Sequence, residues 1–130
     1  MHGEHRDYNA PVDCTEYIAG HRERRAAERA SNAVRALAAR QAAERVAALL
    51  AREFSARRVV LFGSLASCRF GARSDIDLAV DGVDPARFFA ASAAAQREAE
   101  PFDVDLVPLE AATPLLRSHV DAEGVVLLGD

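Results

Sequence analysis

The sequence VVLFGS at residues 59–64 is followed, after ten intervening residues, by DIDLAVD at residues 75–81. The first stretch is a short apolar run closed by Gly63 and Ser64, which is typical of a buried β-strand that ends in a turn. The second alternates between acidic and apolar residues, so a strand there turns its apolar side chains to one face and Asp75, Asp77 and Asp81 to the other. Together they predict two strands, one of which carries a row of carboxylates.

Two further stretches predict the rest of the sheet. FDVDLV at residues 102–107 alternates in the same manner as residues 75–81, and VVLL at residues 125–128 is a last short apolar run after Gly124. Both have the length and composition of β-strands. We therefore expect a small mixed β-sheet of about four strands.

The remaining segments have helical character. Residues 22–54 contain neither Pro nor Gly and are rich in Ala and Arg, which favours one long N-terminal helix. Asp84-Pro85 and Thr113-Pro114 are typical helix starts, because the first residue of each pair can cap a helix and proline suits its first position. Pro101 ends the first of these two helices. The predicted fold class is α+β, with the sheet flanked by helices.

The long helix carries an apolar stripe at nearly helical spacing, which we expect to pack on the sheet from about Ser31 to Phe54. The stripe consists of Val34, Leu37, Ala38, Gln41, Ala42, Val46, Leu49, Leu50 and Phe54. The Arg-rich residues before it have few large apolar side chains. We expect residues 1–32 to form a partly helical extension and residues 33–130 to form the domain.

Composition limits the class of protein. A chain of 130 residues that is 50% hydrophobic is long enough for one compact domain. It has no apolar run of membrane-spanning length and its N-terminus is polar, so we expect neither a membrane span nor a secretory signal. By default, this predicts a cytoplasmic protein. Cys14 and Cys68 form no C-x-x-C pair, so neither a disulfide framework nor a zinc site is expected. Residues 59–130 hold 5 Arg against 12 acids; this acidic half either repels anions or holds cations.

Carboxylates at alternate positions recur on two predicted strands, as Asp75 with Asp77 and as Asp103 with Asp105. If the strands are neighbours, up to four negative charges gather on one side. Two such charges ~4 Å apart repel by about 4 kcal/mol at an effective dielectric constant of 20, so the group needs a cation or a proton. Carboxylate oxygens suit Mg²⁺ or Mn²⁺. The alternative is a solvated acidic strand face with no ligand.

The Gly63-Ser64 turn suits an anion. Glycine lets a phosphate approach the backbone, and the Ser64 hydroxyl can bond a phosphate oxygen or cap a helix that we expect to begin there. Alone, a Gly-Ser after a strand is more often a plain turn. Beside a D-x-D strand it places an anion site next to a metal site, as nucleotidyl transfer requires.

The combination of Gly63-Ser64, ten residues and Asp75-Ile76-Asp77 resembles the G-S-x10-D-x-D signature of the DNA polymerase β-like nucleotidyltransferase superfamily. It is most similar to the minimal nucleotidyltransferase (MNT) proteins, whose layout fits residues 33–128. The resemblance implies that Asp105 is the third carboxylate, and that Asp75, Asp77 and Asp105 hold Mg²⁺ or Mn²⁺ on ATP or another NTP. It also implies that Gly63 and Ser64 bind phosphate. The chain departs from many relatives at Ser67-Cys68, where they have Arg-Gly; Arg69 or Arg73 could supply that charge.

The resemblance also implies a partner. MNT proteins of this size resemble the antitoxins of HEPN/MNT toxin–antitoxin modules, which attach AMP from ATP to a tyrosine of the HEPN toxin. Residues 16–32 are then either a partner-contacting helix or a solvated one. Two alternatives remain: a non-catalytic antitoxin that neutralises its partner by docking, and a nucleotidyltransferase that acts on a small molecule. Direct nucleic-acid binding is not expected, because aromatic residues are few and half of the chain is acidic.

Overall fold

The computed structural model describes residues 26–67, 69–71 and 74–129, and within them the predicted α+β order of elements is confirmed. The expectations for residues 1–25, Cys68 and Arg73 lie outside the described part. The helices and strands are α1 (Ala26–Phe54), β1 (Arg58–Phe62), β2 (Ile76–Asp81), α2 (Phe88–Ala99), β3 (Val104–Pro108), α3 (Pro114–Glu123) and β4 (Val125–Leu128). Short 3₁₀ turns precede α2 and follow β3.

The four strands form one mixed sheet in the order β3-β2-β1-β4. Strand β1 runs antiparallel to β2 and to β4, whereas β2 and β3 are parallel. Parallel neighbours need a crossover connection, and α2 supplies it. Strand β2, which carries the D-x-D motif, therefore lies inside the sheet, and β3 lies at its edge.

One face of the sheet packs against α1 and α2. Ile76, Leu78 and Val80 point to this face and are buried, as the alternation predicts. They meet Val46 and Leu50 of α1, both fully buried. Burial of each such side chain contributes about 1.5–3 kcal/mol, so this face holds most of the apolar stabilisation.

The apolar stripe predicted along α1 is buried in its C-terminal half, as expected, but exposed in its N-terminal half, where the prediction was wrong. Buried positions begin only at Ala39, while Val34 is 70% exposed and Leu37 is 60% exposed, and Ala38 and Gln41 are exposed too. The reason is length: a helix of 29 residues extends about 43 Å, more than twice the span of a five-residue strand. The sheet and α2 cover only the C-terminal part, so the packing expected from Ser31 begins later.

The predicted boundary at residue 32 falls inside α1, which continues through it, and it stays a prediction. None of the three described helices offers the run of apolar residues that a bilayer span needs.

The opposite face of the sheet carries a smaller apolar cluster beneath α3, made of Val60, Ala79, Leu109 and Val120. Helix α3 begins as predicted at Thr113-Pro114, where the Thr113 hydroxyl accepts a hydrogen bond from the Leu116 amide at 3.2 Å. Because Ala79 lies on this face, Asp77 two residues earlier lies on it as well. The acidic residues of β2 thus share a face with α3, and the long helices cover the other.

Candidate active site

Asp77 and Asp105 lie directly opposite each other on the parallel strands β2 and β3. Paired residues on neighbouring strands point their side chains to the same face, with the strands about 4.8 Å apart. The Ile76 amide donates to the Asp103 carbonyl at 2.8 Å, which fixes this register where both strands begin. Asp75 comes immediately before β2 and is exposed. The fold therefore brings together the three carboxylates that the sequence singled out.

Gly63 lies against the Asp77 side chain at the end of β1, next to Phe62, which pairs with Asp77. A Cβ atom on Gly63 would overlap Oδ2 of Asp77 and lie 3.1 Å from its Cγ. The backbone φ of Gly63 is +78°, a conformation that residues with a side chain rarely adopt. Only glycine fits here, because any side chain would displace the carboxylate.

The helix expected to begin at Gly63-Ser64 is a single turn, which corrects that prediction. The Ser67 amide donates to the Gly63 carbonyl at 3.1 Å, and the Ser67 hydroxyl donates to the same oxygen at 3.0 Å. The next bond runs from the Arg69 amide to the Ser64 carbonyl at 2.8 Å, one residue wider than the α-helical spacing. Ser64 itself is partly exposed in this turn. Any phosphate contact there would come from turn amides and the Ser64 hydroxyl, without a helix dipole behind them.

The loop after the turn is attached at two points. The Phe70 ring packs edge-on against Phe102, with ring centroids 6.1 Å apart, and Phe102 lies just before β3. Gly71 and Ser74 exchange two bonds, from the Gly71 amide to the Ser74 hydroxyl at 2.9 Å and from the Ser74 amide to the Gly71 carbonyl at 3.2 Å. Ser74 leads directly into Asp75. Sequence reasoning missed these contacts, although a serine at the entry to a D-x-D strand is a usable signal of a turn.

Asp77 is the carboxylate most affected by its surroundings. Burial raises its pKa from 3.8 to about 6, with smaller contributions from the negative charges of Asp105 and Asp75. The direction follows from physical causes, since desolvation and like charges both disfavour the ionised form. Burial and the charges of Asp105 and Asp75 therefore all disfavour the ionised form of Asp77.

The donor set fits a hard divalent cation that is shared with a phosphate ligand. Within the described residues, no three His, Cys, Asp or Glu side chains converge tightly enough to form a metal cage by themselves. Mg²⁺ seldom uses such a cage; it is usually held by one or two carboxylates together with water and substrate phosphates. The half-buried Asp77, with Asp105 opposite it, provides carboxylates of that kind.

Two other acidic residues lie near these strands but have other partners. Asp103 is exposed, and its Oδ1 accepts a hydrogen bond from Gln96 at 3.4 Å. Asp81 lies at the far end of β2, where it pairs with Arg57 at 3.5 Å. A hydrogen bond with Glu110 is the main cause that raises the Asp81 pKa. Of the four aspartates on the two motifs, Asp105 therefore faces Asp77, whereas Asp103 faces helix α2.

Comparison with known proteins identifies the class. The family model for polymerase beta nucleotidyltransferases matches residues 44–130, well over half of the chain. The chain belongs to this nucleotidyltransferase family, which confirms the resemblance seen in the sequence. No curated protein matches the chain.

Several solved structures that are similar to this chain come from toxin–antitoxin complexes. A chain in the crystal structure of a toxin-antitoxin with AMP-PNP is 29% identical, with a TM-score of 0.58 over 67% of this chain and 73% of that chain. A chain in the MntA-HepT toxin-antitoxin structure is 26% identical, with a TM-score of 0.55 over 70% and 73% of the two chains. A third match, also 26% identical with a TM-score of 0.55, covers 70% and 72%; it comes from tri-AMPylated Shewanella oneidensis HEPN toxin in complex with MNT antitoxin.

Proposed function

We propose that this chain is a Mg²⁺- or Mn²⁺-dependent nucleotidyltransferase of the MNT antitoxin type, which transfers AMP from ATP to a tyrosine hydroxyl of a HEPN toxin. The observation that carries the proposal is the pairing of Asp77 with Asp105 beside the Gly63 turn. This pairing sets two carboxylates beside the Gly63-Ser64 turn, whose backbone amides and Ser64 hydroxyl are groups that can bind a phosphate. The extent of the catalytic domain is proposed as residues 33–130.

The comparisons support the choice of substrate and partner. One similar structure is a toxin-antitoxin with AMP-PNP, an analogue of ATP, and another contains an AMPylated HEPN toxin with its MNT antitoxin. Each of these matches extends over about two thirds of this chain at 26–29% identity. We infer from them that the nucleotide is ATP and that the acceptor is a protein hydroxyl.

In the proposed reaction each residue has a distinct task. Gly63 and Ser64 bind the β- and γ-phosphates through the turn, and Asp75 and Asp77 would hold the cation that neutralises the triphosphate. Asp105 accepts the proton of the attacking hydroxyl. The acceptor oxygen forms a bond to the α-phosphorus while the bond from that phosphorus to the pyrophosphate oxygen breaks. The chain thus contributes mainly positioning and charge neutralisation.

The cation, held by Asp75, Asp77 and Asp105, would neutralise phosphate charge and make the hydroxyl easier to deprotonate. Burial is the main cause that raises the pKa of Asp77, the negative charges of Asp105 and Asp75 add to it, and a bound cation would oppose all three by favouring the ionised form.

The test is a transfer assay with a HEPN-type toxin that is coexpressed with the chain. The chain, the toxin, Mg²⁺ and ATP labelled at the α-phosphate are incubated, and label on the toxin is measured. Asp77→Asn and Asp105→Asn are expected to lose transfer. Asp103→Asn is the matched control, since it is the same substitution on the neighbouring carboxylate that faces α2, and it is expected to retain transfer.

The outcomes separate the alternatives. Label on the toxin tyrosine supports the proposal. Neutralisation of the toxin without label would mean that the chain acts by docking alone. Label that appears only on a small molecule would mean that the acceptor is not a protein. Full transfer by Asp77→Asn would overturn the assignment of the metal site.

A further inference from the structure

The side chain of Gln96 bridges helix α2 to the start of strand β3. Its Oε1 accepts a hydrogen bond from the Val104 amide at 3.0 Å, and its Nε2 donates to the Phe102 carbonyl at 2.8 Å. The same nitrogen lies 3.4 Å from Oδ1 of Asp103. One side-chain amide therefore bonds the backbone on both sides of Asp103, in the way that one residue of a neighbouring strand would.

These bonds fall on the outer side of β3, where none of the described strands lies. Among the four described strands, β3 is at the edge of the sheet and pairs with β2 alone. The Asp103 carbonyl faces β2, where it accepts from the Ile76 amide, so the Val104 amide faces outward. Gln96 satisfies that outward amide and covers the beginning of an otherwise open edge.

We propose that Gln96 is a positioning residue for Asp105, and thereby for the cation and nucleotide that Asp105 helps to hold. This inference rests on the proposed function of the site. Asp105 directly follows Val104, so a loosened Val104 moves the Asp105 carboxylate relative to Asp77. Asp77 belongs to β2 and Asp75 immediately precedes it; β2 has a strand on each side, and Gln96 makes no hydrogen bond to it. The consequence is selective: loss of Gln96 weakens the Asp105 half of the site and spares the Asp77 half.

The variant Gln96→Met keeps the length and bulk of the side chain and removes its three hydrogen bonds, to Phe102, Asp103 and Val104. Gln41→Met is the matched control, because Gln41 is an exposed helical glutamine of α1. Arg87→Met serves as a control for general destabilisation. It removes a bond to the Glu53 carbonyl, 3.2 Å long, and a guanidinium 4.5 Å above the Phe54 ring.

The first measurement is amide hydrogen exchange, which does not depend on activity. In Gln96→Met, exchange at Val104 and Asp105 is expected to become roughly tenfold faster, as for the loss of one or two ordinary hydrogen bonds. Exchange at Asp77, Ala79 and Asp81 should be unchanged, because amides alternate along a strand and these lie on the β1 side of β2, opposite the Ile76 amide that bonds β3. Neither control variant should give this local pattern. Uniform acceleration across the sheet in Gln96→Met would show only general destabilisation and would overturn the inference.

The second measurement is Mn²⁺ binding in the presence of AMP-PNP, followed by electron paramagnetic resonance. Gln96→Met is expected to bind Mn²⁺ roughly 10- to 100-fold more weakly, the usual range when a residue that orients a metal ligand is lost. The same change in an Asp105→Asn background should have little further effect, because the residue through which Gln96 acts is already gone. An equal effect in both backgrounds would contradict a positioning role.

A second variant keeps the inference testable if Gln96→Met does not fold. Gln96→Glu retains an acceptor for the Val104 amide but sets a carboxylate oxygen against the Phe102 carbonyl and Asp103, so a loss of Mn²⁺ affinity is expected here too; unchanged affinity would count against the inference.

The two proposals fail in different ways. A wild-type chain that transfers no nucleotide, yet loses Mn²⁺ affinity on Gln96→Met only while Asp105 is present, would refute the proposed function and support the role of Gln96. A wild-type chain that transfers AMP, with Mn²⁺ affinity and Val104 exchange unaltered by Gln96→Met, would support the proposed function and refute the role of Gln96.

Discussion

Replacing Asp77 by Asn should stabilise the folded chain at neutral pH while ending nucleotide transfer. Asp77 has its pKa raised from 3.8 to about 6, because it is half-buried and lies near Asp105 and Asp75. A shift of this size corresponds to about 3 kcal/mol at 1.36 kcal/mol per unit. Since the side chain is partly exposed, solvent screening reduces the effect to about 1–2 kcal/mol. The Asn variant avoids this cost, because it carries no charge.

The dependence on pH has a definite sign. Between pH 3.8 and about 6 the folded chain binds the Asp77 proton more tightly than the unfolded chain does. The Asp77 contribution to the free energy of unfolding therefore falls as pH rises through this window, and it stays low above it. Below the window both states are protonated and the penalty vanishes. The free energy of unfolding of Asp77→Asn should lack this decrease with pH.

The assay is urea unfolding of wild type, Asp77→Asn and the control Asp103→Asn, at pH 4 and pH 7.5. At pH 7.5 Asp77→Asn should be more stable by about 1–2 kcal/mol, equivalent to roughly 3–6 °C in Tm. Its advantage should shrink at pH 4. A variant that is less stable than wild type at pH 7.5, or equally more stable at both pH values, would refute the electrostatic reasoning.

Three further predictions concern other parts of the chain. Gly63→Ala should lose transfer and destabilise the fold by about 1–3 kcal/mol in urea unfolding, because the new methyl group overlaps Asp77 at a φ of +78°; normal activity would contradict the tight fit. Mg²⁺ with AMP-PNP should raise the Tm of wild type in a concentration-dependent manner and leave that of Asp77→Asn nearly unchanged; equal shifts would count against a metal role for Asp77. Thr113→Ala should cost about 1 kcal/mol by loss of the α3 cap, and unfolding at fixed pH measures it; no change would show that the cap is dispensable.

Local patterns were sufficient to predict the strands and the helices that follow β2 and β3. Alternation over residues 75–81 and 102–107 is a property of the strands themselves. Thr113-Pro114 starts α3 as predicted, whereas Asp84 caps the 3₁₀ turn Pro85–Arg87 and α2 begins only after it, at Phe88. The burial of Ile76, Leu78 and Val80 follows from the same alternation. Such features need no knowledge of the rest of the chain.

The apolar periodicity of α1 could not show at which residue its buried part begins. Val34 and Leu37 continue the helical spacing of Val46 and Leu50, yet they are exposed. Here α1 contacts the rest of the described structure through Ala36, which packs against the core, and through Arg35, which lies over the Phe102 ring. How far a helix extends past its sheet depends on the lengths of all elements, which a local pattern does not contain.

Identifying the residues of the candidate site required both the sequence and the structure. Two D-x-D motifs indicated clustered carboxylates, but residue types alone did not distinguish Asp103 from Asp105; the resemblance to a family favoured Asp105. The strand register now pairs Asp105 with Asp77, and Gln96 binds Asp103. Gln96 had no recognisable signal beyond being a polar residue between the buried Ala95 and Ala99 on a helix. Long-range pairing of this kind is settled by tertiary packing.

The most direct test of the account is the intact mass of the HEPN-type toxin after incubation with ATP, Mg²⁺ and one of three chains: wild type, Asp105→Asn or Asp103→Asn. Wild type and Asp103→Asn are expected to add whole AMP groups to a toxin tyrosine. Asp105→Asn is expected to add none. AMP transfer by Asp105→Asn at the wild-type rate, or its loss in Asp103→Asn alone, would contradict the claim that Asp105 and Asp77 form the catalytic pair.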